Sequence, residues 1–215
     1  MRTKCENKIL YQCFVVLVAF TVFFFRPLKS WIEMNQLTAI LYTPQLLFLL
    51  GSIWIYFSNK LKPQDIGLIK SSVAYYHYVL ALAAIIFIWM SALHGMIEPT
   101  PLRFSDLKVS MISLVGLLII APITEEVFFR GILFQQFLKK YPLRTSMIVS
   151  SAVFMCTHHQ LWLGAFILGL ITSFATYKSK SIFPGIVFHC ISNTFVLYAH
   201  NVAPNLGVLR KVLFF

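Results

Sequence analysis

The stretch Ile119-Ile120-Ala121-Pro122-Ile123-Thr124-Glu125-Glu126-Val127-Phe128-Phe129-Arg130 decides how the chain is read, because it sets three charges inside one apolar run. No other charge lies between Lys108 and Lys139. A run of that length is enough to cross a bilayer, which takes about 20 residues at about 1.5 Å of rise each. A carboxylate at such depth is costly unless paired or protonated, so an ionisable residue there is a functional hypothesis by default. Helical spacing then divides the cluster. Glu126 and Arg130 are four apart and share a face, so they can neutralise each other. Glu125 points about 100° away and is left over from that pairing. A purely structural ion pair would account for Glu126 and Arg130 but leave Glu125 unexplained.

The surrounding sequence has the same character. Of 215 residues, 59% are hydrophobic and 12% charged, against roughly 25% charged in a soluble domain. Phe contributes 21 residues, and Trp with Tyr another 4 and 9, a composition suited to a lipid-facing surface with aromatic belts. Apolar runs fall near 9–25, 37–57, 73–94 and 109–138, followed by three crowded ones near 145–158, 161–177 and 182–199. Pro44, Pro122 and Pro184 are expected to kink or begin helices in these runs. The expected fold class is all-α: a polytopic transmembrane bundle of about seven to eight helices enclosing an intramembrane cavity. One integral membrane domain over 1–215 is expected, with its chemistry-bearing half at about 109–199.

The first run follows Arg2, Lys4 and Lys8, as in a signal peptide, but it ends in Phe23-Phe24-Phe25-Arg26-Pro27 and not in small residues. It is read as a retained helix. The net charge of +11 is scattered in short clusters between apolar runs, which favours topology signals beside lipid over a nucleic-acid surface. With a cytosolic N-terminus, the inside holds Arg2, Lys4, Lys8, Lys60, Lys62, Lys70, Lys139, Lys140, Arg144, Lys178 and Lys180. The outside then holds only Arg26, Lys29, Arg103, Lys108, Arg210 and Lys211. That bias predicts the N-terminus inside. Cys5, Cys13, Cys156 and Cys190 form no CxxC pair and are read as free thiols.

Histidines supply possible partners for Glu125. His77, His94 and His200 lie near run ends, whereas His158 and His159 close the fifth run and His189 lies inside the seventh. Asn193 follows His189 by four residues and shares its face. Glu125 is 14 residues before Lys139, and His158 is 14 after Arg144, so both lie about 20 Å of helix from the same side. His189, nine residues past Lys180, comes out somewhat shallower. A Glu with a His on a second helix and a His/Asn pair on a third suits two routes. One is a divalent metal that lowers the pKa of a water and polarises a carbonyl. The other is Glu125 as general base with His158, while His189 and Asn193 donate to an oxyanion. Neither route forms a covalent intermediate, and no GxSxG motif is present.

Glu125-Glu126-x-x-x-Arg130, Phe154-x-x-x-His158 and His189-x-x-x-Asn193, in that order, resemble the three motifs of the CPBP family. These are the CAAX proteases and bacteriocin-processing enzymes, also called Abi proteins, related to the type II CAAX prenyl endopeptidase. The motifs cover roughly residues 121–197; the first half of the chain resembles nothing beyond its spans. The resemblance implies an intramembrane endopeptidase with its site open to the cytosolic side. Glu125 is then the catalytic base, His158 and His189 orient or ligate the water-activating centre, Asn193 assists, and Glu126 and Arg130 support. Phe154 is read as packing. Whether such an enzyme uses a metal or a metal-free glutamate is left open. The implied partners are a membrane-associated or lipidated peptide and the bilayer, with no nucleic acid. A bacterial cell membrane and a role in bacteriocin processing or self-immunity follow from the same resemblance. The alternatives are a non-catalytic immunity or scaffold protein, or a proton-coupled transporter; no inverted repeat is visible to favour the latter.

Overall fold

A computed structural model describes residues 2–25, 43–97, 111–158 and 162–202, and among these every regular element is helical. In chain order they are α1 (Arg2–Phe25), α2 (Thr43–Ser58), a short 3-10 turn (Pro63–Ile66) and α3 (Val73–Ile97). The run expected at 109–138 is a single rod made of five pieces laid end to end. These are α4 (Met111–Val115), a π-helical stretch (Gly116–Ile120), α5 (Ala121–Glu126), a second π-helical stretch (Val127–Leu133) and α6 (Phe134–Lys140). Then come α7 (Leu143–Cys156), α8 (Trp162–Ser179) and α9 (Phe183–Val202), matching the three crowded runs. His159 and the basic residues expected outside (Arg26, Lys29, Arg103, Lys108, Arg210, Lys211) lie outside the described residues.

Local chemistry explains the breaks. The rod widens before α5: the Ala121 N–H donates to Gly116 O, five residues back. Pro122, in the first turn of α5, has no N–H with which to continue either pattern. The rod widens again after Glu126, and the Phe134 N–H likewise reaches Phe129 O. Such wide turns inside α-helices are uncommon and concentrate at functional sites. Pro142, in an extended conformation, starts α7. At the other end Thr157 closes it, with its hydroxyl donating to Phe154 O at 2.7 Å. The α8–α9 turn has Lys180 at a φ of 58°, and Ser179 Oγ accepts the Ser181 N–H at 3.1 Å.

Packing fixes the rod from three sides. Phe48 of α2 meets Phe20 of α1 at 5.1 Å and Phe128 and Phe129 of the rod at 5.0 and 5.1 Å. Phe129 in turn meets Phe154 of α7 edge-on at 5.0 Å. This aromatic chain joins the N-terminal helices to the motif-bearing half. A second apolar cluster joins α3 (Val79, Ala83) to α9 (Phe188). Between α7 and α8 the contact is made by small residues: a Cβ at Gly169 would come within 2.8 Å of Ser151 Cβ. Ser151 is buried there, and so are Ser150 and Ser173, whose hydroxyls meet at 3.4 Å, the kind of interface that brings helix backbones together without an apolar driving force.

The segment between α2 and α3 straps the rod. Gly67, at a φ of 68°, accepts the Ile182 N–H at 3.0 Å, and Ser181 Oγ donates to Ile69 O at 2.6 Å. Gly131 lets the strap lie close, since a Cβ there would stand 2.9 Å from Ile66 O. The start of α1 joins the same end, with Lys8 Nζ donating to Ser58 O at 3.3 Å and Lys140 Nζ bonded to Asn7 Oδ1. Among the described residues no helix is long and apolar enough to cross a membrane.

Candidate active site

Glu125 and Glu126 close α5, Arg130 lies one turn on in the second π-helical stretch, and all three are buried. The expected Glu126–Arg130 pair is present, with Oε1 to Nη1 at 3.2 Å. Glu126 has a second task not foreseen from spacing: the same oxygen accepts from His189 Nδ1 at 2.9 Å. The guanidinium of Arg130 lies over the Phe154 ring, 4.3 Å from its centroid. Phe154 is thus a hub, because its ring also packs against His158 at 4.5 Å and His189 at 5.9 Å. A cation held against an aromatic face in a dry site gains electrostatic stabilisation, which offsets part of the burial of Arg130.

Glu125 faces the other way round the same cluster. Its Oε2 lies 3.8 Å from His189 Nε2 and 4.0 Å from His158 Nε2. The sequence therefore assembles three groups from three elements around one carboxylate oxygen, and the shallower depth estimated for His189 does not keep it away. The hydrogen bonds of the rings fix what they offer. His158 Nδ1 lies 2.9 Å from the carbonyl of Phe154. A carbonyl only accepts, so the hydrogen sits on Nδ1 and the neutral ring presents a lone pair at Nε2. His189 Nδ1 donates to the Glu126 carboxylate by the same logic. Both Nε2 atoms and Glu125 Oε2 are then acceptors, directed at one small region. Three converging acceptors call for an occupant that carries protons or positive charge.

The two sides differ in access. Arg130, Glu126 and His189 are sealed, whereas the His158 side chain is 24% exposed. Among the described residues, Glu126 Oε2 and Arg130 Nε and Nη2 have no hydrogen-bond partner. Gly185 allows the carboxylate to sit where it does, since a Cβ there would stand 3.3 Å from Glu126 Oε2.

Asn193 is on the rod-facing side of α9, but its amide is engaged elsewhere: Nδ2 donates to Leu117 O at 2.8 Å. Cys156 is exposed and Cys190 half-buried. Two imidazole nitrogens and a carboxylate are a donor set that suits zinc, at about 2.0–2.2 Å from each ligand. Among the described residues, however, no three His, Cys, Asp or Glu groups stand close enough to hold a metal ion.

Fold and site together define a class: a helical protein that brings a buried glutamate and two histidines to one point, with a sealed ion pair behind them. Residues 107–195, under half of the chain, match the family described as type II CAAX prenyl endopeptidase Rce1-like, in line with the CPBP/CAAX protease resemblance of the three motifs. The match covers Glu125, Glu126, Arg130, His158, His189 and Asn193, the residues of all three motifs. The family is one of membrane-embedded proteases, which supports a hydrolase acting on a peptide substrate. No curated protein is similar enough to the chain to count as a match.

Proposed function

We propose that the chain is an intramembrane endopeptidase in which Glu125 and His158 activate a water molecule for attack on a peptide carbonyl. The observation that carries this reading is the approach of both Nε2 atoms to Glu125 Oε2, at 4.0 and 3.8 Å. Those separations are too long for direct hydrogen bonds and suit a bridging water. A water about 2.8 Å from Glu125 Oε2 and from one of the two Nε2 atoms would see that pair at an angle of roughly 90°.

The steps balance with these groups and one proton borrowed from solvent. Glu125, assisted by His158, takes one proton from the water as its oxygen bonds to the carbonyl carbon. The carbonyl oxygen becomes an oxyanion. His189 is held by Glu126 through Nδ1 with its Nε2 facing the same region; donation from Nε2 to that oxyanion requires a second proton on the ring, taken up from solvent and returned there at the end of the cycle. The proton held by Glu125 then passes to the amide nitrogen as the C–N bond breaks and the oxyanion returns to a carbonyl, which releases a carboxylic acid and an amine; the acid's proton then passes to the amine. Arg130 pairs with Glu126 at 3.2 Å, so the carboxylate that orients His189 has a counter-charge beside it in a dry setting.

The membrane setting rests on the surface. Tyr11, Phe14, Phe57, Tyr78, Ile88 and Met111 are each at least 62% exposed, and α1 and α3 are 24 and 25 residues long. Neither helix is long and apolar enough by itself to cross a bilayer, so the membrane reading rests on these exposed apolar side chains together with the family match. The end that carries Lys8, Lys60, Lys62, Lys139, Lys140, Arg144, Lys178 and Lys180 is the cytosolic one on this reading. The substrate is a membrane-associated protein or peptide, lipidated or not.

Comparative mass spectrometry of membrane and secreted peptides tests the proposal. Cells expressing the wild-type chain should yield a cleavage product that both Glu125→Gln and His158→Ala abolish. A product that survives both substitutions would exclude the mechanism. Metal analysis of the purified chain separates the two routes: activity that persists in chelator with no bound divalent metal supports the glutamate route. Loss of activity with loss of one equivalent of zinc would assign Glu125, His158 and His189 to a metal.

A further inference from the structure

The break in the rod at Pro122 has a consequence for Asn193. In the first π-helical stretch the Ala121 N–H bonds to Gly116 O, five residues back. The next bond in that register would run from residue 122 to Leu117 O, and residue 122 is a proline. Proline has no N–H, so Leu117 O loses its donor from within the rod. Its neighbourhood gives no help from solvent on the membrane reading: Leu117, Ile119 and Ile120 are exposed apolar side chains. A carbonyl facing hydrocarbon without a partner is strongly unfavourable. The carbonyls of Ile120 and Ala121, on either side of the same break, share the Thr124 hydroxyl at 2.9 and 3.1 Å. Leu117 O is served from another helix, by Asn193 Nδ2 at 2.8 Å.

We propose that Asn193 is a positioning residue whose side-chain amide takes the place of the backbone donor missing at Pro122, clamping α9 to the rod that carries Glu125. The clamp spans the site. On α9, Asn193 lies one turn beyond His189; on the rod, Leu117 and Pro122 precede Glu125 by about two turns and one turn. Fixing these two points sets the distance between Glu125 Oε2 and His189 Nε2, which is 3.8 Å. An error of about 1 Å in such a distance can lower a rate about a hundredfold. The activity arm of the proposal rests on the peptidase reading above, whereas the clamp itself does not.

A double-mutant cycle on the full chain in lipid nanodiscs tests the clamp, because Pro122→Ala restores a backbone N–H next to Leu117 O. The four proteins are wild type, Asn193→Ala, Pro122→Ala and the double variant, with Asn193→Asp as a same-shape change that removes the amide donor. Asn193→Ala and Asn193→Asp should each lower the melting midpoint by about 2–8 °C in the Pro122 background. In the Pro122→Ala background the loss from Asn193→Ala should fall to less than half of that. Equal losses in the two backgrounds would overturn the clamp, as would an Asn193→Asp midpoint equal to wild type. The cleavage product found by mass spectrometry gives the second reading. It should fall about tenfold or more in Asn193→Ala and return in the double variant. If the midpoint recovers but the product does not, Asn193 acts on the reacting atoms themselves and the positioning role is wrong. If the wild type itself yields no product, the peptidase reading fails, and the midpoint cycle still decides the clamp.

Discussion

Glu125 and Glu126 are neighbours in sequence, yet they belong to two different regions of the site. Glu126 forms the back wall: it is fully buried, accepts from His189 Nδ1 at 2.9 Å and pairs with Arg130 at 3.2 Å. Glu125 forms the front: its Oε2 has no direct bond to either histidine and stands 3.8 and 4.0 Å from them. Beside it the His158 side chain is 24% exposed, whereas His189 is 2% exposed. The contrast separates two uses of a buried carboxylate. One is spent on holding a cation and a ring in position; the other is kept free of strong partners and can therefore take up a proton. A single imidazole, His189, links them, since its two nitrogens face opposite regions.

The comparison can be broken most forcefully from the back wall. Glu126→Gln leaves Arg130 buried without a counter-charge, although the new side chain can still accept from His189. Breaking a buried pair in this way costs about 3–5 kcal/mol, so the yield of folded protein should collapse in a size-exclusion assay. Replacing both partners, as Glu126→Gln with Arg130→Met, should recover most of that yield. Failure of the double replacement to recover it would mean that the back wall is more than an ion pair. On the front, His158→Ala should lower cleavage by about 10²–10⁴-fold, with the melting midpoint within about 3 °C of wild type. A drop in midpoint as large as that of Glu126→Gln would move His158 to the back wall.

Smaller effects sharpen the boundary between the regions. Phe154 touches both, through the Arg130 guanidinium and both histidine rings. Phe154→Leu keeps an apolar side chain but removes the ring face, and should cost about 1–2 kcal/mol, read as a midpoint shift together with a partial loss of product. Away from the site, Gly169→Ala pushes a methyl to within 2.8 Å of Ser151 Cβ. Overpacking of that kind costs about 1–3 kcal/mol, and here it should lower the midpoint more than it lowers the rate per folded molecule.

Much of this was legible in the sequence, for a physical reason. Charges are so rare in the apolar runs that Glu125, Glu126 and Arg130 stand out by position alone, and helical spacing pairs Glu126 with Arg130. The helices over 143–156, 162–179 and 183–202 follow the short crowded runs because Pro142 and the polar Lys178-Ser179-Lys180 break interrupt the apolar pattern. Three features were not legible. The bond from Glu126 to His189 depends on how α9 seats against α5, a tertiary fact with no local signature. The π-helical stretches leave the apolar run intact, so hydropathy passes over them; Pro122 marks the first of them, but only as a kink. Asn193 shares a face with His189, as its spacing requires, yet its amide goes to Leu117 O, because Pro122 withdraws the nearer donor.

The division between the two carboxylates is tested most directly by Glu125→Gln, followed by melting and cleavage in the same preparation. Exchanging the carboxylate of Glu125 for an amide of the same shape should abolish the product, by about 10³-fold or more, while the midpoint stays within about 3 °C of wild type. A Glu125→Gln protein that still cleaves, or one that fails to fold as Glu126→Gln does, would contradict the account.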